Sequence, residues 1–195
     1  AGMHKGGDAG PFVSDFIDKQ VDRFVTSEAF SQVWNVALRT THTQFVALIA
    51  GEDGQQLQFD VLFELNPRLE DVVSRGVPLY FVAEFELTEP RWYWFDDEIA
   101  NRTLTYRLSY NALTRQYRLA TGALHQNYPT LEAALRTMSR VRSWTVVERG
   151  VLSVGTAYQA RLRFRLDLTQ MPKPFQVGAI GDRDWALTTE WLRWT

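Results

Sequence analysis

The densest run of potential ligands is acidic, with Asp96, Asp97 and Glu98 side by side. Calcium collects several oxygens from one loop, but an EF-hand loop spaces its ligands at alternate positions around a turn glycine. These three carboxylates are contiguous and lack that glycine. No metal is expected, and the run reads as a solvated loop or a helix N-terminus. Just before it, Trp92, Tyr93, Trp94 and Phe95 are four consecutive aromatics beside Arg91. Neighbours in a strand face opposite ways, so one or two rings should lie outside the core. There Arg91, Trp92 and Trp94 would meet a sugar or a partner's side chain. A third cluster, Arg161, Arg163 and Arg165, forms a positive ladder with steps of roughly 6 to 7 Å along a strand. Guanidinium groups recognise carboxylate and phosphate bidentately. The competing reading is a solvated face paired with acidic neighbours such as Glu84 and Glu86.

Nothing else in the chain suggests catalysis. His4, His42 and His125 are dispersed, with no His-x-x-x-His pair and no carboxylate at ligand spacing. There is no Gly-x-Ser-x-Gly elbow and no glycine-rich phosphate loop. Cysteine is absent, which removes thiolate chemistry and most zinc sites but leaves the redox compartment undecided. A non-enzyme without a cofactor is the expectation. The formal net charge of -2 gives no long-range attraction for a phosphate backbone, so nucleic acid is not an expected partner. Ala1 to Gly10 has neither the basic start nor the apolar core of a signal peptide, and no run approaches the roughly 18 apolar residues that span a bilayer.

The elements that would carry these residues fall into two parts. From Val13 to Ile49 apolar residues recur at the helical period: Phe16, Ile17, Val21, Phe24 and Val25, then Phe30, Val33, Trp34, Ala37, Leu38, Phe45, Leu48 and Ile49. Ser27 suits an N-cap, while Gly51 and Gly54 end the pattern. Two amphipathic helices are predicted, the second about 24 residues long, and their stripe needs a partner surface or a second copy. From Leu57 onward the chain alternates with the strand period. Leu57 to Leu65, Leu79 to Leu87, Leu104 to Tyr110, Tyr117 with Leu119, Trp144 to Val147 and Tyr158 to Leu168 are the expected strands. Asn66-Pro67 starts one short helix, stopped by Gly76, and Thr130 to Arg140 forms another. Trp185 to Trp194 fits either an edge strand or a helical turn. The predicted fold class is α+β, mainly β. It comprises an antiparallel β-sandwich with two short helices over 54–195, preceded by the amphipathic helical pair over 1–53.

The wording of residues 60–195 is itself distinctive. Glu64-Leu-Asn-Pro-Arg-Leu-Glu, Arg75-Gly-Val-Pro-Leu-Tyr-Phe, Pro90-Arg-Trp-Tyr-Trp-Phe-Asp, Thr105-Tyr-Arg-Leu-Ser-Tyr, Leu113-Thr-Arg-Gln-Tyr-Arg-Leu, Pro172-Lys-Pro-Phe-Gln-Val and Arg193-Trp-Thr resemble the proteobacterial family known as domain of unknown function 4390. The resemblance implies an exported, periplasmic or otherwise extracytoplasmic protein without assigned activity, with genes that tend to lie near those of a nitrogen-regulation-type sensor kinase. It supplies no catalytic residues. Residues 1–53, through Val21-Asp-Arg-Phe-Val, Trp34, Arg39, His42 and Leu48-Ile-Ala-Gly-Glu, look instead like an extracytoplasmic helical segment of actinobacterial membrane proteins, which suggests a fused or artificial chain. Together these readings lead to the expectation of an envelope-located protein-interaction module that modulates a membrane sensor kinase and self-associates through the N-terminal helices. The alternative is a carbohydrate or small-ligand binding domain that uses the Trp92 to Phe95 surface.

Overall fold

Apolar residues at every second position must share one face of a strand, and that requirement organises the chain from Gly54 to Leu166. In a computed structural model, described over residues 41–93, 95–179 and 183–195, the strands form two antiparallel sheets around one core. The smaller sheet has the order β1 (Thr41–Ala50), β2 (Gly54–Phe63), β7 (Arg140–Glu148). In the larger, β6 (Leu124–Tyr128), β5 (Gln116–Thr121), β4 (Asp97–Asn111), β3 (Leu79–Glu89), β8 (Gln159–Leu166) and β9 (Leu192–Trp194) follow one another. The architecture is the mainly β, antiparallel two-sheet fold that the alternation predicts. The helices expected between residues 13 and 40, and the side chain of Trp94, lie outside the described residues.

Rings join the two sheets. Phe63 of β2 lies 5.7 Å from Phe81 of β3 and 5.2 Å from Phe164 of β8, all three buried. Trp144 of β7 meets Phe59 and, across the sandwich, Phe85 edge-on. Burying each such side chain contributes about 1.5–3 kcal/mol. The larger sheet extends beyond the smaller one, and helices cover part of it: α1 (Pro67–Ser74) packs on β4, and α2 (Leu131–Met138) on β5, β6 and β7. The sequence signals for both are realised. Asn66 accepts from the backbone N of Leu69 at 2.9 Å with Pro67 in the first turn, and Thr130 caps α2 through Ala133. Gly76, at φ 88, lets the chain turn out of α1.

Four expectations need correction. Residues 41–50, including Phe45, Leu48 and Ile49, form strand β1 and not the end of a long helix. Phe45, Leu48 and Ile49 fit a helical stripe, and a bulge between Thr43 and Phe45 breaks the strand alternation that would have competed with it. The β-branched and aromatic content of Thr41, Thr43, Phe45, Val46 and Ile49, paired with β2, decides the outcome. The stop at Gly51 and Gly54 is therefore a hairpin turn, so the boundary expected at 53/54 falls inside a paired β1–β2 hairpin, and one compact unit runs from Arg39 to Thr195. A third short helix, α3 (Lys173–Gly178), joins the two expected. Finally, Asp97 and Glu98 open strand β4 and do not sit in a helix N-terminus.

Candidate interaction surface

Pro90 ends β3, since it has no N–H to continue the ladder, and the chain crosses to β4 through residues 90–96. Charges fasten the base of this loop. The Arg91 guanidinium pairs with Asp97, and its backbone N donates to Asp96 Oδ1 at 3.4 Å. The aromatics are left outside: Trp92 is 93% exposed, Phe95 85% and Tyr93 62%. Trp92 and Tyr93 touch edge to face at 4.9 Å between centroids, so they cover each other and little else. The loop is not a strand, which is why Trp92, Tyr93 and Phe95 do not divide between core and solvent.

A second loop leaves the sandwich at the same end. Thr88 of β3 is the register partner of Gln159 of β8, so the roots of 90–96 and 149–158 stand side by side. The second loop turns on Gly150 and Gly155, both at positive φ, and the backbone N of Ser153 donates to the Tyr158 hydroxyl at 3.0 Å. Val151 and Val154 are exposed there. On the outer face of β3, β8 and β9, beside the aromatic loop, lies an open cleft of about 400 Å³ lined by Glu86, Thr88, Asp96, Gln159, Arg161 and Arg193.

The arginine ladder is brought together as the alternation predicts, but its guanidiniums already have acceptors. Arg161 Nε donates to Glu86 at 2.8 Å, Arg163 Nε to Glu84 Oε2 at 2.8 Å, and Arg165 Nε to Glu84 Oε1 at 2.9 Å. Arg165 also reaches Asp167 at 3.1 Å. Trp191, which the sequence reading passed over, lies over Arg161 and Arg163 with centroid distances of 4.8 and 4.4 Å. Bridged to carboxylates, with Arg161 and Arg163 also stacked on Trp191, the three cations form an internal network on the outer face of the sheet. Burial opposes the charge on Glu84, but hydrogen bonds from Arg165 and Arg163 and their charges outweigh it and hold the carboxyl below its ordinary range. Asp167 behaves alike: burial raises it, while Gln170, Thr169 and Arg165 bring it down further. Its shell of Thr169 and Gln170 hydrogen bonds was not legible in the strand pattern.

His42 and His125 fall in β1 and β6, on different sheets. Among the described residues no three His, Cys, Asp or Glu side chains gather as a metal site would require, and no helix is long and apolar enough to cross a membrane. What sets this surface apart is its uncovered aromatic end, and the same segment, Pro90 to Asp96, lies within the stretch that a family model recognises: residues 38–195 match the domain of unknown function DUF4390. The chain belongs to the DUF4390 family. The match begins at residue 38, so β1 and the hairpin turn belong to the DUF4390 domain and not to a separate helical segment. No curated protein and no solved structure matches this DUF4390 chain.

Proposed function

We propose that the protein is a non-enzymatic β-sandwich of the cell envelope that works by holding another protein, with the loops 90–96 and 149–158 as its contact surface. One observation carries the reading: Trp92, Tyr93 and Phe95 stand in water on a loop whose two ends are fixed by β3 and β4. Burying Trp92 and Phe95 in a partner would contribute about 1.5–3 kcal/mol each, and aromatic anchors of this kind dominate protein interfaces. The extracytoplasmic location rests on the family resemblance, which also makes the sensing domain of a membrane kinase the first partner to test. Calorimetric titration of that purified domain with the full chain should show binding. The Trp92→Ala, Phe95→Ala pair should weaken it by about 30-fold or more with an unchanged melting temperature. Binding indifferent to both rings, or no binding at all, would overturn the assignment.

The polar cleft beside the loop supports a second reading, a carbohydrate or other small envelope ligand laid between Asp96, Gln159 and Arg193 and stacked on the loop aromatics. A soluble glycan at a hundredfold excess over its dissociation constant would stabilise the fold by about 2.7 kcal/mol, which a thermal-shift screen detects. A screen without shifts leaves the protein-binding reading in place and removes this one.

A further inference from the structure

The two sheets present four edges, and three of them are guarded. β6 offers five residues and β9 three, too few for a lasting extra strand, while β7 carries Arg140, Arg142 and Glu148 along its nine. β1 differs. Its ten residues, Thr41–Ala50, include no Lys, Arg, Asp, Glu or Pro, and among the described residues no strand lies on its outer side. Natural sheets protect a long edge with charge, proline or brevity, because its free N–H and C=O groups otherwise recruit another strand. Here the only interruption is the bulge between Thr43 and Phe45, near one end. The outward face of the same hairpin also carries exposed apolar side chains among its polar ones, with Phe45 47%, Ile49 40% and Leu62 46% exposed.

We infer that β1 pairs antiparallel with β1 of a second copy about a two-fold axis, merging two three-stranded sheets into one of six. Charge favours a copy over a foreign peptide. An uncharged strand meets itself with no like-charge conflict, whereas a charged peptide finds no complementary charge along β1. The pleat then limits the register, since residues directly opposite must face the same side. Val46 and Leu48 point the same way as Phe59 and Leu57 of β2, toward the core, while Phe45, Ala47 and Ile49 share the other face with Asp60, Gln58 and Gln56. An axis through Ala47 satisfies this rule clear of the bulge. Ala47 meets its own copy, Val46 meets Leu48, and Phe45 meets Ile49 twice, an aromatic against a β-branched side chain, which is a favoured cross-strand pair.

The absence of cysteine makes the test clean. Ala47→Cys in the full chain places two thiols across the axis, within the Cα separation of about 4.4–6.8 Å that a disulfide needs. Mild oxidation should convert most of the protein to a covalent dimer. Leu113→Cys, on a β4–β5 turn residue 97% exposed, is the collision control and should cross-link at least about tenfold more slowly. Sedimentation equilibrium should find the parent dimeric at about 100 µM and Ala47→Lys monomeric with an unchanged far-ultraviolet spectrum. Ile49→Lys serves if the first lysine variant fails to fold. A monomeric parent, equal cross-linking at Leu113, or a dimer that survives either lysine would each overturn the inference.

Discussion

Glu84→Gln isolates the network on the outer face of β3 and β8. The carboxylate is one-fifth exposed and serves two guanidiniums, Arg163 through Oε2 and Arg165 through Oε1. Glutamine keeps the volume but removes the charge, and its NH₂ must face one of the two cations. Shielded hydrogen bonds to charged groups contribute about 1.5–3 kcal/mol, exposed ion pairs about 0.2–1. Glu84 stands between these limits, and two arginines lose an acceptor, so a cost of about 2 kcal/mol is expected at pH 7. With a urea dependence of about 2 kcal/mol per molar, the midpoint should fall by about 1 M. The sign of the pH dependence follows from the lowered carboxyl. A group depressed in the folded state contributes stability fully present above its unfolded value of about 4.3 and lost as pH falls through the lower folded one. The parent should therefore approach the variant as pH drops from 5 to 3. A gap below about 0.5 kcal/mol at pH 7, or one that keeps its full size at pH 3, would refute the reasoning.

Other positions give independent checks by chemical denaturation. Phe164→Ala removes a fully buried ring packed on Phe63 and Phe81 and should cost about 3–5 kcal/mol, whereas Arg163→Ala should cost about 1. Gly54→Ala should cost more than about 3 kcal/mol or prevent folding, because at φ 143 its Cβ would stand 2.1 Å from the Val147 carbonyl oxygen. Asn66→Ala deletes the cap of α1 and should cost about 1 kcal/mol.

Period and punctuation carried most of this fold into the sequence. The strand from Gln159 to Leu166 is readable because Ala160, Leu162, Phe164 and Leu166 all face one core, and α1 because Asn66, Pro67 and Gly76 mark its ends. β1 was hidden by a single extra residue, since a bulge moves the alternation out of phase and leaves a short apolar run that fits either period. β9 is three residues long and carries almost no pattern. At the surface, alternation placed Arg161, Arg163 and Arg165 on one face. Glu84 and Glu86 were foreseeable as partners only because their strand alternates too, while Trp191 belongs to no periodic element and gave no signal. The exposure of Trp92 and Phe95 depends on a loop conformation that no period encodes.

The smaller sheet closes late along the chain. β2 ends at Phe63, while β7, its second neighbour, begins at Arg140 after four strands and two helices of intervening sequence. When the chain emerges from its N-terminus, the β1–β2 hairpin must wait for roughly 75 residues more. At about 5–20 residues per second that is some 4–15 seconds with the edge of β2 that β7 will occupy left unpaired. The β3–β4–β5–β6 meander, joined by sequential neighbours, needs no such delay. A holding chaperone that samples nascent chains should therefore find its sites in β2, and its release should coincide with the appearance of β7.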